Sequence, residues 1–586
     1  MRAAGQVDPP SNVQEQRVRR TAAGIAGLSV IAGTLFAGGA MAGVVPDPVV
    51  DGPGPVSLSP LGSYETGVFE ESAAEIVAWH LQSKRLLVVN AADATVEVLD
   101  GKNPRKPRKL FNLDTAGVKS ADGSRVPDTA VANSVAVRAD GLGVVAVEAS
   151  PKTDRGWLVF FDAKSKGKKR GKVFGAVRVG AQPDMVTLTP DGTRAVVANE
   201  GEPAEDYSVD PQGSIAVVTL PKKMKAPRQK AVRTAGFGAY EGARLPKGVR
   251  IFGGREDAGT GTPAKPVSEN LEPEYVAVDA ASKRAYVTLQ EANAIAVVNL
   301  RKARVTKIFG LGTVDQRKVK LDASDRDGRI NRRTWPVEAF RLPDAIATFQ
   351  VGRRTYLVTA DEGDSRDWEG YSEEVRVKDL GEDGLAPVCE SVAAEAGMSV
   401  AELQEDENLG RYKITVSAGL RADGSCYDQL HGFGGRGFSI WTPQGKLVSS
   451  SKDGFEAVTA RAMPESFNSD HAETEFDARS DDKGPEPEGV TVGKVGKKTY
   501  VFTSLERVGG VMIHDVTRPA KPKFVRYVNN RDFAHSGAEG LASAGDLGPE
   551  GITFVPRKDS PLKRPMVVIG NEVSGTTTFF RVDLLR

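Results

Sequence analysis

Acidic residues recur at two fixed places in a unit that the chain repeats seven times. One acid stands before the first apolar run of the unit, and another ends the second apolar run. The acids before the first run are Glu75, Asp184, Glu274, Asp344, Glu488 and Glu550. The acids that end the second run are Glu148, Glu200, Glu291, Glu362, Glu506 and Glu572. If the units surround an axis, carboxylates at matching places converge near it.

Crowded carboxylates repel one another and raise each other's pKa unless a cation lies between them. Their oxygens are the hard ligands that Ca²⁺ and Mg²⁺ prefer. The alternative for each acid is a local role, in which it accepts backbone N–H bonds or pairs with an arginine such as Arg507. We predict a divalent-cation site, for Ca²⁺ before Mg²⁺, with ligands among Glu75, Glu200, Glu274, Glu291, Asp344, Glu362, Glu488, Glu506, Glu550 and Glu572.

A second acidic stretch, LDASDRDGRIN, occupies residues 321–331. Asp325, Asp327 and the glycine that follows fit the middle of an EF-hand-like calcium loop, where alternate carboxylates converge at a sharp turn. However, the first ligand position falls on Ala323 and the twelfth on Thr334. A complete loop is therefore excluded, and the pattern favours a solvated Asp/Gly turn.

The repeated unit consists of short apolar runs separated by turns. The runs are rich in Val, Ile, Tyr and Phe, and Asp-Gly, Gly-Lys and similar turns separate them, which predicts strands and not helices. Mostly-β repeats that recur every 50 to 90 residues are typical of a radial architecture. Clear copies are EPEYVAVDAASKRAYVTLQEANAIAVVNL (272–300), PEPEGVTVGKVGKKTYVFTSLERVGGVMIHDV (485–516) and GPEGITFVPRKDSPLKRPMVVIGNEVSGTTTFFRV (548–582).

These strands predict an all-β fold, a seven-bladed β-propeller over residues 56–586. The last unit has no fourth strand after TTTFFRV, while VSLSPLGSY (56–64) stands unassigned before the first unit. The N-terminal segment is therefore predicted to complete the last blade and close the ring, which removes two open sheet edges. In a four-stranded up-and-down blade alternate turns share one side, so both sets of acids are expected around one opening of the axis.

The fifth unit carries a long insertion, residues 364–437, between its second and third strands. Long insertions on regular scaffolds often build a functional site, and a surface cap is the alternative. The insertion contains both cysteines of the chain, Cys389 and Cys426. Two thiols in an exported protein more often pair than stay free, so a disulfide is predicted.

Within the insertion, Arg366 and Arg436 are candidate anion-binding residues, and a helix is expected near residues 399–408. The run GFGGRG at 432–437 is not a dinucleotide loop, because it precedes a strand and no βαβ unit surrounds it. The sequence has no HExxH, GxSxG or Walker A pattern, so the common hydrolase signatures are missing. No nucleotide or redox cofactor is expected.

The N-terminal residues have the pattern of a targeting segment. A basic stretch at 17–20 precedes an apolar run at 21–36, and a small-x-small cleavage pattern ends at residue 42. We expect an export signal over residues 1–42, of the Sec or twin-arginine type, followed by a Pro/Gly-rich linker over 43–55. An uncleaved anchor is the alternative. The mature chain is predicted to be secreted or associated with the cell surface, with no membrane span.

Composition fits a large folded β protein. The chain has 586 residues with 63 Gly and 34 Pro, which leaves room for a core and many turns. Its 78 basic and 77 acidic residues give a formal net charge of +1. No overall field therefore indicates a nucleic-acid partner.

Eight segments of the chain carry a family resemblance: QPDMVTLTPDGTRAVVANEGEP, LEPEYVAVDAASKRAYVTLQEANAIAVV, LPDAIATF, DEGDSRDWEGYSEEVRVKDL, GPEPEGVTVGKVGKKTYVFTSLERVGGV, YVNNRDF, DLGPEGITF and GNEVSGTTTF. They resemble the choice-of-anchor I domain family, which includes mesenchyme-specific cell-surface glycoproteins. The resemblance implies an exported or surface propeller distantly related to YVTN-type repeats, and it implies fold and location more firmly than chemistry.

Together these features predict a secreted binding propeller that depends on a bound cation. Its acidic side would meet an extracellular protein, a glycan or a mineral-like ligand, and the chain is expected to be a monomer. The competing class is an enzyme, a metal-dependent phosphoesterase of the alkaline-phosphatase kind, in which the carboxylates hold metal and Arg366 or Arg436 binds phosphate.

Overall fold

Seven small antiparallel sheets make up most of the regular structure in a computed structural model, which describes residues 46–251 and 266–585. The first strands of successive blades contact one another, and those of blades seven and one also do so, which closes the sheets into a ring. The chain is therefore a seven-bladed β-propeller, and the fold prediction is confirmed. The predicted export signal lies outside the described residues.

Each blade has its first strand innermost and its fourth outermost. Blade one comprises Val77–His80, Arg85–Asn90, Thr95–Asp100 and Arg108–Asp114. Blade two comprises Val131–Val137, Leu142–Glu148, Arg155–Asp162 and Val173–Ala181. Blade three comprises Pro183–Leu188, Arg194–Asn199, Ser214–Thr219 and Val232–Gly236. Blade four comprises Pro273–Val278, Arg284–Leu289, Ala294–Asn299 and Arg304–Gly310. Blade five comprises Ile346–Val351, Arg354–Asp361, Gly437–Trp441 and Leu447–Ser450. Blade six comprises Pro487–Val495, Lys498–Leu505, Val511–Asp515 and Lys523–Asn529. The first three strands of blade seven are Pro549–Val555, Met566–Asn571 and Thr576–Leu584.

The N-terminal strand Val56–Glu65 completes blade seven by pairing antiparallel with Thr576–Leu584. The predicted closure of the ring is therefore confirmed. The segment predicted as a linker contributes a further strand, Val49–Asp51, which pairs with the outer strand of blade six. That strand has only three residues and lies among prolines and glycines, so its apolar pattern is too short to predict a strand.

Hydrophobic burial explains the strands. Every residue of Arg85–Asn90 and of Leu142–Glu148 is buried, because the second strand of a blade packs against the neighbouring blades on both faces. Such strands are continuous apolar runs and lack the alternation of a half-exposed strand. The clusters of buried side chains accordingly join residues of adjacent blades.

Outside the blades the described chain has short helices and hairpins. The α-helices are Glu390–Glu395, Val400–Leu403, Gly454–Ala462 and Gly537–Ala544. The longest has nine residues, and none of the described helices has the length and apolarity needed to span a bilayer. Two-stranded ladders join Thr313–Asp315 to Glu338–Phe340, Asp367–Trp368 to Tyr371–Ser372 and Glu374–Arg376 to Lys413–Thr415.

The helix expected at 399–408 is shorter than predicted. Ser399 is its N-cap, and its hydroxyl accepts a hydrogen bond from the Glu402 backbone N–H while the Glu402 carboxylate reaches back to the Ser399 N–H. This capping box is the sequence signal that marks a helix start. After Leu403 the chain turns, so only the first part of the predicted helix forms.

The insertion has a hydrophobic core of its own. Val377, Leu403 and Tyr412 pack with Leu321 and Trp335 of the connection between blades four and five. Cys389 and Cys426 form the predicted disulfide, with their Cα atoms 5.2 Å apart. The two cysteines are 37 positions apart in the sequence, and the bond closes the loop between them.

Removing this disulfide by the double change Cys389→Ser and Cys426→Ser is expected to loosen the insertion and leave the blades intact. A loop of this length restricts the unfolded chain by about 3 to 4 kcal/mol in the chain-entropy account. Limited proteolysis followed by mass spectrometry should show faster cleavage within 373–433. Ser391→Ala, at an exposed position beside Cys389, is the matched control. Equal acceleration of cleavage in the blade strands would contradict the separate core.

Candidate functional site: buried carboxylates at the propeller axis

A Pro-acid-x-Val/Ile motif places one acid of the repeat in blades three, four, six and seven. In each case the pairing of the first two strands shifts register between the proline and the Val or Ile, and the acid lies within the shift. Such bulges re-aim side chains and often lie next to active sites. The acids so placed are Asp184, Glu274, Glu488 and Glu550.

Hydroxyl groups of the second strand satisfy the bulged backbone. The Tyr275 N–H donates to Thr288 Oγ1 at 2.9 Å, and the Gly489 N–H donates to Ser504 Oγ at 3.0 Å. Buried backbone N–H groups need such partners. The bulge is therefore a built feature of the blade, and it holds the acid opposite the end of strand two.

The two sets of acids meet, as the alternation of turns predicts. Among the described residues, four groups of three side chains have carboxylate or imidazole ligand atoms that all lie within 4.8 Å of one another. The groups are Glu200, Glu274 and Glu291; Asp344, Glu362 and Glu488; Glu362, Glu486 and Glu506; and His471, Glu506 and Glu572. The last three groups are continuous, because they share Glu362 and Glu506.

Tyr275 marks the centre of this arrangement. Burial, followed by the charges of Asp344, Glu550, Asp184 and Glu488, raises the pKa of its phenol. Those acids belong to blades five, seven, three and six. The charges of acids from four other blades therefore act on one tyrosine of blade four.

The acids of the repeat form a ring around the axis, and basic side chains offset the negative charge of one half of it. The Glu486 carboxylate pairs with Arg479 Nη2 at 2.6 Å and with Arg507 Nε at 2.7 Å. Burial alone would raise the pKa of Glu486, but the charges of Arg479, Arg507 and Lys483 lower this pKa to about 2. Glu506 behaves similarly, because Arg507 and His471 oppose the effect of burial and lower its pKa to about 2.

Mostly negative charges surround Glu200 and Glu291 in blades three and four. Burial and then the charges of Glu202 and Asp184 raise the pKa of Glu200 well above its usual value. Burial and then Glu272 and Asp364 do the same for the pKa of Glu291. Repulsion among these carboxylates therefore favours either bound protons or a bound cation.

Glu291 carries the clearest sign of a missing partner. Its side chain is 6% exposed, and its Oε2 has no hydrogen-bond partner within the described chain. An unsatisfied buried carboxylate oxygen is costly, so native proteins generally give it a proton, water or metal ion. Glu291 belongs to the three-carboxylate group with Glu200 and Glu274.

The second group with raised pKa values is formed by Asp344, Glu362 and Glu488. Burial and the charges of Glu362 and Asp344 raise the pKa of Glu488 well above its usual value. Burial also raises the pKa of Glu362 to about 8, although Lys483 opposes the shift. The Lys483 Nζ lies 4.0 Å from the Glu362 carboxylate, which offsets part of the charge.

The remaining predicted ligands lie at the margin of these groups. Glu572 joins only the group with His471 and Glu506, and Glu75 and Glu550 belong to none of the four groups found among the described residues. Glu550 still contributes charge, because it raises the pKa of both Tyr275 and Glu488. The structure therefore concentrates the predicted ligands in blades three to six.

The acids are less accessible than the predicted acidic face implies. Glu274 and Glu488 are 3% and 2% exposed. The chain between blades five and six supplies Arg479 and Lys483, which lie at Glu486 and Glu362. The sequence predicts both positions of the repeated acids but not Glu486, His471 or these basic side chains, because no repeat marks them.

Arg366 and Arg436 are buried and bound to protein acceptors. Arg366 is 1% exposed, and its guanidinium pairs with Glu272 and donates to the Tyr207 hydroxyl. Arg436 is 3% exposed, pairs with Glu456 and donates to three backbone carbonyls. The predicted role of both in anion binding would require these contacts to break.

Arg366 also shows where the insertion begins to cover the blades. It comes from the insertion, while Glu272 precedes the first strand of blade four and Tyr207 follows the second strand of blade three. Gly370 lies against the backbone of Asp206, which leaves no room for a side chain. The first residues of the insertion therefore contact the acidic turns of blades three and four.

Fold and site together define a seven-bladed β-propeller with clustered carboxylates at one end of its axis. The sequence matches the choice-of-anchor I domain family over residues 75–519, and the chain belongs to that family. The predicted resemblance is thereby confirmed.

Two curated proteins are similar over part of the chain. Gigasin-3a of Magallana gigas is 28% identical over 194 residues, which span 31% of this chain and 68% of that protein. The mesenchyme-specific cell surface glycoprotein of Strongylocentrotus purpuratus is 30% identical over 280 residues, which span 42% of this chain and 35% of that protein. Among solved structures, the Cps50 (Swd1) beta-propeller domain of Myceliophteria thermophila is 10% identical with a TM-score of 0.38, covering 90% of this chain and 99% of that one.

Proposed function

We propose that this protein is an extracellular binding propeller that holds a divalent cation, Ca²⁺ in preference to Mg²⁺, at the carboxylates of its axis. The observation that supports the proposal most directly is the group Glu200, Glu274 and Glu291, in which a buried Glu291 oxygen has no hydrogen-bond partner among the described residues. The predicted export signal and the cell-surface name of one relative support the location.

The chemistry of the ligand set favours calcium. The group contains only carboxylate oxygens, without sulfur or imidazole. Ca²⁺ accepts six to eight such oxygens in flexible geometry, whereas Mg²⁺ demands a near-ideal octahedron. Three carboxylates from three different turns meet the flexible requirement more easily.

A bound ion would act on partner binding by fixing the acidic turns. Glu200 and Glu291 lie at the ends of second strands, where the hairpins to the third strands begin. One ion that joins them to Glu274 would hold blades three and four in a single arrangement. An extracellular protein, glycan or mineral-like partner would then meet preformed loops, which lowers the ordering cost of binding.

The contacts of the arginines favour a binding role over phosphate chemistry. A phosphoesterase needs cationic donors that face the phosphate. Arg366 and Arg436 instead bind Glu272 and Glu456 inside the protein. These contacts therefore do not support a phosphoesterase.

The proposal predicts a calcium-sensitive pH profile. The folded-state pKa values of Glu200, Glu291 and Glu488 are raised, so without a cation the folded protein retains protons that the unfolded chain releases. Stability should then fall as the pH rises above the ordinary glutamate pKa of about 4.5. Calcium should remove most of that fall, measured as the melting temperature from pH 5 to 8 with Ca²⁺ or with EDTA.

Glu291→Gln tests whether the calcium response depends on the axial carboxylates. In EDTA at pH 8 the variant should melt above the wild type, because one repelling charge is gone, while its response to Ca²⁺ should be much smaller. Glu382→Gln, at an exposed position of the insertion, should behave like the wild type. Identical melting of the wild type in Ca²⁺ and EDTA across this pH range would refute the proposal.

A further inference from the structure

A second set of buried oxygens without hydrogen-bond partners lies at the junction of the insertion and the blades. Asp322 Oδ1, Asn468 Oδ1 and Asp477 Oδ2 have no hydrogen-bond partner within the described chain. Their residues are 1%, 0% and 1% exposed. Asp322 precedes blade five, whereas Asn468 and Asp477 follow it.

Hydrogen bonds through Glu456 and Ser480 link these three residues. The Asp322 backbone N–H donates to Glu456 Oε2 at 3.3 Å, and Asn468 Nδ2 donates to Glu456 Oε1 at 3.3 Å. Asn468 Nδ2 also donates to Ser480 Oγ at 2.8 Å, and that hydroxyl donates to Asp477 Oδ1. The other carboxylate oxygen of Asp477 is the one without a partner.

Asp327 adds a further carboxylate. Its side chain is 4% exposed, and its Oδ2 lies 3.5 Å from the exposed Arg329 guanidinium without a hydrogen bond. Burial and then the charge of Asp322 raise the pKa of Asp477 to about 8, and Asp327 adds to the shift. The charges of Asp322 and Asp327 therefore both act on Asp477.

Arg436 offsets the charge of these aspartates only in part. Arg436 binds Glu456, the Asp322 carbonyl and the carbonyls of Ser480 and Asp482. Burial raises the pKa of Asp322 to about 7, and the charge of Glu456 adds to that shift. The aspartates thus keep excess negative charge in a buried place, which a proton or a metal ion must offset.

We infer that Asp322, Asp327, Asn468 and Asp477 form a second site for a divalent cation, with Ca²⁺ preferred. The ligands are carboxylate and amide oxygens only, which is the hard donor set of calcium. The site goes beyond the axial proposal, since it shares no residue with the axial groups.

This site uses the acidic stretch 321–331 in an unexpected way. Asp325, which fits the middle of a calcium loop by sequence, instead pairs with Arg411 Nε at 2.5 Å. Asp322 and Asp327 provide the oxygens, and Gly328 makes the turn that follows with a φ of 67°. The remaining ligands come from 468–477, so an ion would join the connections on both sides of blade five.

Calcium counting on the full chain tests the site. The wild type, Asp477→Asn and Asp322→Asn are dialysed against Ca²⁺ and then buffer, and bound calcium per chain is measured by elemental mass spectrometry. Each variant should bind one equivalent of calcium less than the wild type. In the presence of Ca²⁺, protease should cleave segments 321–331 and 467–484 faster in each variant than in the wild type. Near-ultraviolet circular dichroism confirms that the variants are folded.

Two controls separate this site from the axial one. Asp423→Asn, at an exposed position of the insertion, should retain the wild-type calcium content. Glu291→Gln should lose a different equivalent, so that the double variant Glu291→Gln with Asp477→Asn loses both. A loss with Asp477→Asn but none with Glu291→Gln would uphold this site and reject the axial proposal.

Protonated aspartates are the alternative to a bound ion. In that case Asp477→Asn and Asp322→Asn would keep the wild-type calcium content and would melt at higher temperature than the wild type at pH 8 in EDTA. That result overturns the inference. If Asp477→Asn fails to fold, Asp322→Asn gives the same measurement, and unchanged calcium in it also overturns the inference.

Discussion

A chain that begins at residue 67, without the strand Val56–Glu65, is expected to lose its cooperative folding. That strand pairs with Thr576–Leu584 along its whole length, from Val56 opposite Leu584 to Glu65 opposite Thr576. It buries Val56, Leu58 and Tyr64, whose exposed fractions are 0%, 2% and 4%. Burial of three such side chains contributes about 5 to 9 kcal/mol.

That loss is comparable with the whole net stability of a typical domain, roughly 5 to 15 kcal/mol. Truncation also exposes the edge of Thr576–Leu584, which is a template for aggregation. Circular dichroism melting and gel filtration should show a broad transition and aggregates in place of a single folded species.

A chain that begins at residue 55 is the matched control. It keeps the closing strand but lacks Val49–Asp51, which adds a fifth strand to blade six and buries little, since Val50 is 44% exposed. This control should melt within a few degrees of the full chain. Similar melting of both truncations would show that the N-terminal strand does not hold the ring closed.

The closing strand could be predicted because its signal is local and the count of strands is fixed. VSLSPLGSY has the composition of a strand, and the seventh unit ends one strand short. Register within each blade follows in the same way from short apolar runs and turn residues. The insertion is harder to predict, since its core depends on Trp335 and Leu321, which lie far from its helices in sequence.

The site was predictable only in part for a related reason. The Pro-acid-x-Val/Ile motif and the acids ending strand two repeat, so their meeting on one side follows from blade geometry. Which acids are compensated depends on Arg479, Lys483 and His471, which come from an irregular segment without a repeat. Sequence reasoning therefore predicts the acids but not the division between a strongly and a weakly compensated half of the ring.

Arg507→Met is expected to destabilise the protein by roughly 3 to 5 kcal/mol, because it removes a buried cation that two buried carboxylates share. Arg507 pairs with Glu486, which is 0% exposed, and lies 3.3 Å from the Glu506 carboxylate. Lys498→Met is the control, because Lys498 is half exposed in its pair with Asp515. Surface pairs of that kind contribute at most about 1 kcal/mol.

The pH dependence identifies the cause of the loss. The pKa values of Glu486 and Glu506 are lowered to about 2 in the folded protein. Their stabilising contribution is present above the ordinary glutamate pKa of about 4.5 and is lost as the pH falls toward 2. The melting temperatures of wild type and Arg507→Met should therefore differ most at neutral pH and converge in acid.

Calcium should recover part of the stability of Arg507→Met. Without Arg507, the group Glu362, Glu486 and Glu506 resembles the weakly compensated group of blades three and four, although Arg479 and Lys483 remain nearby. If arginine and cation are alternative ways to offset the same carboxylates, Ca²⁺ should raise the melting temperature of this variant more than that of Lys498→Met. An equal rise in both would show that the strongly compensated half of the ring cannot accept an ion in place of its arginine.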